Sequence, residues 1–309
     1  MHRNRKNLKL YLGAAAATFL WGSAFPCVKL GYEWLSIRSS DVGSQMYFAG
    51  IRFLLAGLSV LFAGSVWYRC VLLPKKRENE RSPWRLLLAL ALCQTFFQYV
   101  FYYIGLAHVT GTRASILNAL GTLFTVLFGM IVFRSRPGAG KFAGIVIGMS
   151  GVLVACFSGV QGGELHFAGE GALFLSALFA AAGNLINKKA SVRQNPLLVT
   201  GWHLSAGGLL LLLLGLCLGG SFSIPDGKTG VLIMYMVFIS AAGFGIWSWL
   251  LGQYAVEKVA VFHFLVPVFG TVMSGLVLGE GIRLESAAAL MLVCAGVVLV
   301  QREPETKAE

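Results

Sequence analysis

The chain is short of charge. Asp, Glu, Lys and Arg make up 12% of its 309 residues, about half the share that a soluble domain needs to cover its surface. Acids are the scarcer sign, 13 against 25 Lys and Arg. Each one (Glu33, Asp41, Glu78, Glu80, Glu164, Glu170, Asp226, Glu257, Glu280, Glu285, Glu303, Glu305, Glu309) falls in a loop, a tail or a helix end. Without a carboxylate at mid-membrane, there is no acid on which an exporter could trade lipophilic cations for protons. The six cysteines (Cys27, Cys70, Cys93, Cys156, Cys217, Cys294) are scattered singly, with no CxxC and no Cys/His cluster at metal-ligand spacing, and read as small apolar residues. The histidines, His2, His108, His166, His203 and His263, form no HExxH, and no GxSxG is present. An intramembrane enzyme would need a nucleophile–base pair or a metal constellation. Neither is legible, so no catalysis, metal or cofactor is expected.

What is abundant is apolar: 57% of residues are hydrophobic and mean hydropathy is +0.74. About 20 such residues span a bilayer. Runs of that kind recur ten times, near 10–30, 46–67, 84–106, 114–133, 140–160, 170–188, 197–218, 230–250, 258–279 and 284–301. The first follows Arg3, Arg5, Lys6 and Lys9 as a secretory signal would. It runs on too far for one and lacks a small-residue cleavage site, so it reads as a retained helix. The reading is an all-α membrane protein of ten transmembrane helices, with residues 1–9 and 302–309 as tails.

The net charge of +12 tests that count. With the N-terminus in the cytoplasm, Arg3, Arg5, Lys6, Lys9, Arg69, Lys75, Lys76, Arg77, Arg81, Arg85, Arg134, Arg136, Lys141, Lys188, Lys189, Arg193, Lys258, Arg302 and Lys307 all fall inside. Only Arg38, Arg113, Lys228 and Arg283 fall outside, and Lys29 and Arg52 lie within helices. Basic loops resist translocation, so this asymmetry sets topology: a multi-pass protein of the cell membrane with both termini cytoplasmic. The basic excess needs no nucleic-acid partner; the expected partners are the lipid bilayer and a small-molecule solute.

The chain also repeats itself weakly. Ala114–Gly129 falls on Ala260–Gly275, matching Thr125 with Thr271 and Gly129 with Gly275. The stretch Arg52–Gly57 falls on His203–Gly208, and Lys29 on Lys189. Each half, 10–160 and 170–301, holds five helices. An odd number inserts the second copy upside down, an architecture of transporters.

Several stretches carry a family resemblance. They are Leu20-Trp21-Gly22-Ser23-Ala24-Phe25-Pro26 with Lys29, then Ile51-Arg52-Phe53-Leu54-Leu55-Ala56-Gly57, and then Lys258 to Gly270 around His263 and Pro267, closed by Leu278-Gly279-Glu280. Together they resemble the drug/metabolite transporter superfamily, EamA type, from about residue 10 to 301. The first half departs from the pattern, with Gly121 where the second has Pro267 and Arg134 where it has Glu280. The resemblance implies helices 1–4 and 6–9 around a central cavity, helices 5 and 10 at the periphery, and export of metabolites, often amino acids.

Polar residues inside the membrane are costly and therefore the site candidates. In helix 4, Ser115, Asn118, Thr122 and Thr125 share one face, as cavity wall or as packing seam. In helix 3, Gln94, Gln98 and Tyr102 recur every four residues; amides facing lipid would go unsatisfied, so both point inward. Asn184, Trp247 and His263 complete the expected substrate-binding set with Gln94, Gln98, Tyr102, Asn118 and Thr122, the tryptophan as apolar wall and the histidine more as a hydrogen-bonded structural residue. Lys29 and Arg52 sit near outer helix ends and are read first as snorkelling to the interface. The alternative puts Arg52 and its repeat partner His203 at the cavity mouth, one from each side, and has them hold, with Lys29, an organic anion or phosphate ester. The leading function is export of a small neutral or zwitterionic metabolite, such as an amino acid, by rocking of the two halves. In helix 5, Gly144-x-x-x-Gly148 suits either a second subunit or packing within the chain.

Overall fold

The computed structural model describes residues 2–66, 73–74, 82–133, 138–157, 167–281 and 284–302. Cys70, His166, Arg283 and the basic residues Arg69, Lys75, Lys76, Arg77, Arg81, Arg134, Arg136 and Lys307, on which part of the topology reading rests, lie outside them.

Ten helices follow one another: α1 (His2–Trp34), α2 (Val42–Val66), α3 (Pro83–His108), α4 (Gly111–Leu117 and Leu120–Phe133), α5 (Ala139–Phe157), α6 (Phe167–Arg193), α7 (Pro196–Cys217), α8 (Gly227–Gln253), α9 (Val256–Ala260, Val261–Phe264 and Leu265–Leu278) and α10 (Leu284–Arg302). No strand occurs among the described residues. Eight of the ten are long and apolar enough to cross a membrane, and α5 and α10 hold shorter apolar stretches, Phe142–Gly151 and Leu284–Gly296.

Polar residues mark where the helices start. Asp41 accepts from Ser44 N–H at the head of α2, Thr110 from Arg113 N–H at α4, Asn195 from Leu197 N–H at α7, and Asp226 from Thr229 N–H and hydroxyl at α8. Each satisfies donors that a helix leaves open in its first turn. The Thr229 contacts hold the Asp226 carboxyl below its ordinary range. Gly219 (φ 76°) turns the chain after α7, with Gly220 N–H reaching the Gly215 carbonyl.

The halves are related by a pseudo-two-fold axis, and glycines reveal it. A Cβ on Gly50 would strike Leu212, and one on Gly201 would strike Leu61; Gly57 abuts Ser205 N and Gly208 abuts Leu54 N. Both of these contacts in the α2–α7 pair are thus answered by their repeat partners. The other pairings follow suit: α1 packs on α8 and α9 as α6 packs on α3 and α4. The fold is two inverted five-helix repeats.

α5 and α10 pack on each other beside this core. A Cβ on Gly296 would meet Gly144 O and Gly148 N. The G-x-x-x-G face is therefore occupied by the chain's own α10, and the sequence ground for a homodimer is withdrawn.

The Leu278-Gly279-Glu280 stretch has a structural explanation. Gly279 sits at φ 66°, a left-handed conformation that favours glycine, and swings Glu280 onto the head of α4. There the carboxylate accepts from Gly111 N–H (2.8 Å), Thr112 N–H (2.8 Å) and Thr112 hydroxyl (2.7 Å). Charge-assisted bonds at a helix N-terminus are worth about 1–3 kcal/mol together. Glu280→Gln is therefore expected to cost about 1–2 kcal/mol, measured as lowered thermal stability of the detergent-solubilised protein with secondary structure retained.

Candidate functional site

The cavity forms where helices of both halves lose their regularity. In α3 the chain widens into a π turn over Ala91–Phe97, with Gln98 N–H bonding back to the Cys93 carbonyl. In α4 the helix breaks at Asn118 and Ala119. At the matching level of α9, Val261–Phe264 tighten into a 3-10 turn. Pro267 accounts for that break: it has no N–H for the His263 carbonyl, and its ring crowds that carbonyl. Irregular backbone at this depth is tolerated where it lines a cavity.

Between these breaks lies a narrow cavity of about 40 Å³, lined by Trp21, Ala24 and Phe25 (α1), Arg52 (α2), Gln94, Gln98, Tyr99 and Tyr102 (α3), Asn118 (α4), Ala180 and Asn184 (α6), Phe244 (α8), and His263 and Val266 (α9). Seven of the residues singled out from sequence meet there: Arg52, Gln94, Gln98, Tyr102, Asn118, Asn184 and His263. Four do not.

Thr122 is buried behind the wall. The polar face of α4 divides at the helix break. Ser115 turns to Thr271 on α9 and Thr125 accepts from Asn184, a packing seam, while Asn118 alone enters the cavity. Trp247, 1% exposed, stands behind Trp21, which forms the wall instead (ring centroids 5.0 Å apart). His203 is sealed behind Phe244, its Nδ1 2.9 Å from the Thr95 hydroxyl, because α7 packs tightly on the π turn of α3. It does not reach the cavity mouth. Lys29 is half-buried near the end of α1, in the field of the Glu280 carboxylate, and also lies outside the cavity.

Arg52 is the largest departure from expectation. It does not snorkel: α2 starts at Val42, so Val42 to Arg52 is about 15 Å of helix, and the residue is 1% exposed. Its Nε donates to the Met236 carbonyl (3.2 Å) and Ser240 hydroxyl (2.8 Å), and Nη1 to the Tyr103 hydroxyl (3.1 Å). Its Nη2 makes no hydrogen bond to the described residues, and no carboxylate among them pairs with it or lines the cavity. The pseudo-symmetry is visible here too, since Arg52 on Ser240 mirrors His203 on Thr95.

The amides sort into two groups. Gln94 and Asn184 bond to each other (3.2 Å) inside a closed network. Trp247 N–H also donates to Asn184, and Asn187 donates to Gln94 and Ser248, with Thr200 donating to Ser248. These side chains hold α3, α6, α7 and α8 together along one side of the cavity. Gln98 and Asn118 make no side-chain bond to the described residues, and Gln98 Oε1, Trp21 Nε1 and His263 Nδ1 are buried without partners. Buried polar atoms are normally paired. Four unpaired side chains on one cavity, beside a free face of Arg52, are what a bound polar solute would complete. For His263, the hydrogen-bonded structural role expected of it has no partner at Nδ1 among the described residues.

Sequence reasoning passed over Trp21, Tyr99, Tyr103 and Phe244. Trp21 stood inside a quoted motif. The others read as generic aromatic packing, and nothing local separates them from lipid-facing rings.

Models of the EamA-like transporter family match residues 8–157 and 167–302, one for each half. The chain belongs to the EamA-like transporter family. It is a multi-pass membrane transporter, not an enzyme. Relatives named as efflux pumps or transporters align over nearly all of it. A protein named probable amino-acid metabolite efflux pump from Salmonella typhimurium is 28% identical over 297 residues, 93% of this chain and 92% of the relative. One of the same name from Escherichia coli is 27% identical, with the same coverage. An uncharacterized transporter of Archaeoglobus fulgidus is 26% identical over 95% of this chain and 97% of its own. A crystal structure at 17% identity shares the fold, with a TM-score of 0.72 over 94% of this chain and 96% of that one.

Proposed function

We propose that this transporter exports small metabolites bearing a carboxylate, amino acids first among them, by alternating exposure of the cavity between its two inverted halves. One observation carries the reading: Arg52 is buried on the cavity with no carboxylate of the described residues beside it. A buried cation without a counterion is costly, and a solute carboxylate would supply that counterion bidentately. Asn118 and Trp21 Nε1 add donors. An ammonium would find Gln98 Oε1 and the faces of Trp21, Phe25, Tyr99 and Tyr102, which attract cations. The names of the two enterobacterial relatives point the same way.

The three-cation reading, a phosphate ester held by Lys29, Arg52 and His203, loses support because only Arg52 lines the cavity.

The test is counterflow in proteoliposomes with a panel of labelled amino acids. Amino acids compete, and the matching amines without the carboxylate compete at least tenfold less. Gln98→Leu and Asn118→Leu each lower transport about fivefold to tenfold, the worth of one hydrogen bond, while Asn184→Leu mainly lowers thermal stability by breaking the network. Equal competition by the amines defeats the carboxylate assignment. Unchanged transport in both leucine variants defeats the placement of the site.

A further inference from the structure

A second site lies on the outside of the bundle, where α3 and α7 start and α6 ends. Two clefts meet there. One, about 570 Å³ and open to the surroundings, is bordered by Ser82, Arg85, Lys189, Arg193 and Gln194. The other, about 340 Å³, is bordered by Trp84, Leu88, Trp202 and Ala206. They share Arg85 and Leu87 as a common wall.

The chemistry changes along this path. At the rim stand three exposed cations, Arg85, Lys189 and Arg193, and no acid is among the described residues that line either cleft. Beside the rim, between the head of α3 and the second turn of α7, the surface becomes apolar, and Trp84 and Trp202 meet edge to face with centroids 4.8 Å apart at 88°. Trp side chains favour the depth of the lipid headgroups. Beyond them Leu88, 54% exposed, and Ala206 lead toward the hydrocarbon. Beneath lies a small core of its own, Leu87, Leu90, Ala190, Leu198 and Val199, separate from the main one.

We infer that this corner binds an anionic phospholipid. Its phosphate sits among Arg85, Lys189 and Arg193, and one acyl chain lies along the Trp84–Trp202 slot. Basic pockets between membrane helices are suited to such headgroups, each cation contributing about fivefold in binding. A free phosphate would have no use for the apolar slot, and a neutral lipid none for the cations.

The experiment uses the full-length protein in neutral detergent. Native mass spectrometry counts retained lipid, and thermal unfolding is read with added phosphatidylglycerol, phosphatidylcholine or glycerol 3-phosphate. Phosphatidylglycerol is expected to be retained at least tenfold over phosphatidylcholine and to raise the melting temperature. In the Arg85→Gln/Lys189→Gln variant, both at exposed positions, the preference falls about fivefold per charge removed. Arg85→Gln alone serves if the double variant is unstable. Lys9→Gln/Lys258→Gln, which removes two exposed charges at the same end of the bundle but outside the clefts, leaves the preference intact. The inference is overturned if the two lipids are retained equally, if the Lys9/Lys258 variant loses as much, or if glycerol 3-phosphate stabilises as well as the lipid does.

Discussion

Replacing Arg52 with Met is expected to lower transport at least a hundredfold while leaving the protein as stable as before or more so. The two effects have one cause. Arg52 is dehydrated by α2, α3 and α8, and its hydrogen bonds are to neutral groups, the Met236 carbonyl and the Ser240 and Tyr103 hydroxyls. Three such bonds return only part of the several kcal/mol that burying a cation costs. Methionine fills much of the same volume. Ser240 keeps its own bond to the Met236 carbonyl (3.0 Å), so little is orphaned apart from the Tyr103 hydroxyl. Replacing buried charges by apolar groups of like size often gains about 1–4 kcal/mol, a rise of a few degrees in melting temperature. The solute, in turn, loses its charge-assisted partner, worth about 2–5 kcal/mol when one side of a buried pair is removed. Thermal unfolding and proteoliposome counterflow on one preparation check both signs. Active Arg52→Met protein would remove the residue from the site. A clear fall in stability with transport lost would make it a structural tether instead. Lysine is no substitute, because a point charge cannot reproduce the planar fork that reaches Met236, Ser240, Tyr103 and the cavity together.

The misplacement of Arg52 in the sequence shows which part of the molecule was legible there. Helix number, repeat and inversion came from quantities that average over many residues, such as apolar length and odd-numbered halves, and the structure bears them out. Depth did not. The stretch Gly43-Ser44-Gln45 reads as polar loop, which moved the start of α2 toward Arg52 and made snorkelling attractive. In the fold these residues are helical and buried. Ser44 donates to the Ser221 carbonyl, and Gln45 to the carbonyls of Arg38 and Ser39. Their polarity is spent on neighbouring loops rather than on water. The same limit governs the amides. Gln94 and Gln98 lie one turn apart on α3 and look equivalent in sequence, yet Gln94 is consumed by Asn184 and Asn187 on α6 while Gln98 is left free. Which amide is spoken for depends on what another helix presents at that level, and no local pattern carries that information.

The glycines at the α2–α7 crossing carry the other large prediction. Gly57→Ala would place a methyl carbon 2.3 Å from Ser205 N, and Gly208→Ala would place one 2.3 Å from Leu54 N. Both obstacles are backbone, so no side chain can swing aside; the helices must separate. Overpacking of this kind costs about 1–3 kcal/mol or more, and here it falls on an interface whose attraction is van der Waals contact at close range. Each variant is expected to lose at least about 2–3 kcal/mol, read as a lowered melting temperature or loss of monodisperse protein. Gly230→Ala, in α8 with open space around it, is the control and gains up to about 1 kcal/mol from helix propensity. The pseudo-two-fold axis adds a sharper condition. Gly57 and Gly208 are repeat partners on one crossing, so a separation forced by the first methyl already makes room for the second. The double variant should therefore lose less than the sum of the singles, by 0.5 kcal/mol or more, the scale of coupling between residues in contact. Strict additivity would mean that the two glycines relieve separate clashes, and that one separation of the crossing does not serve both.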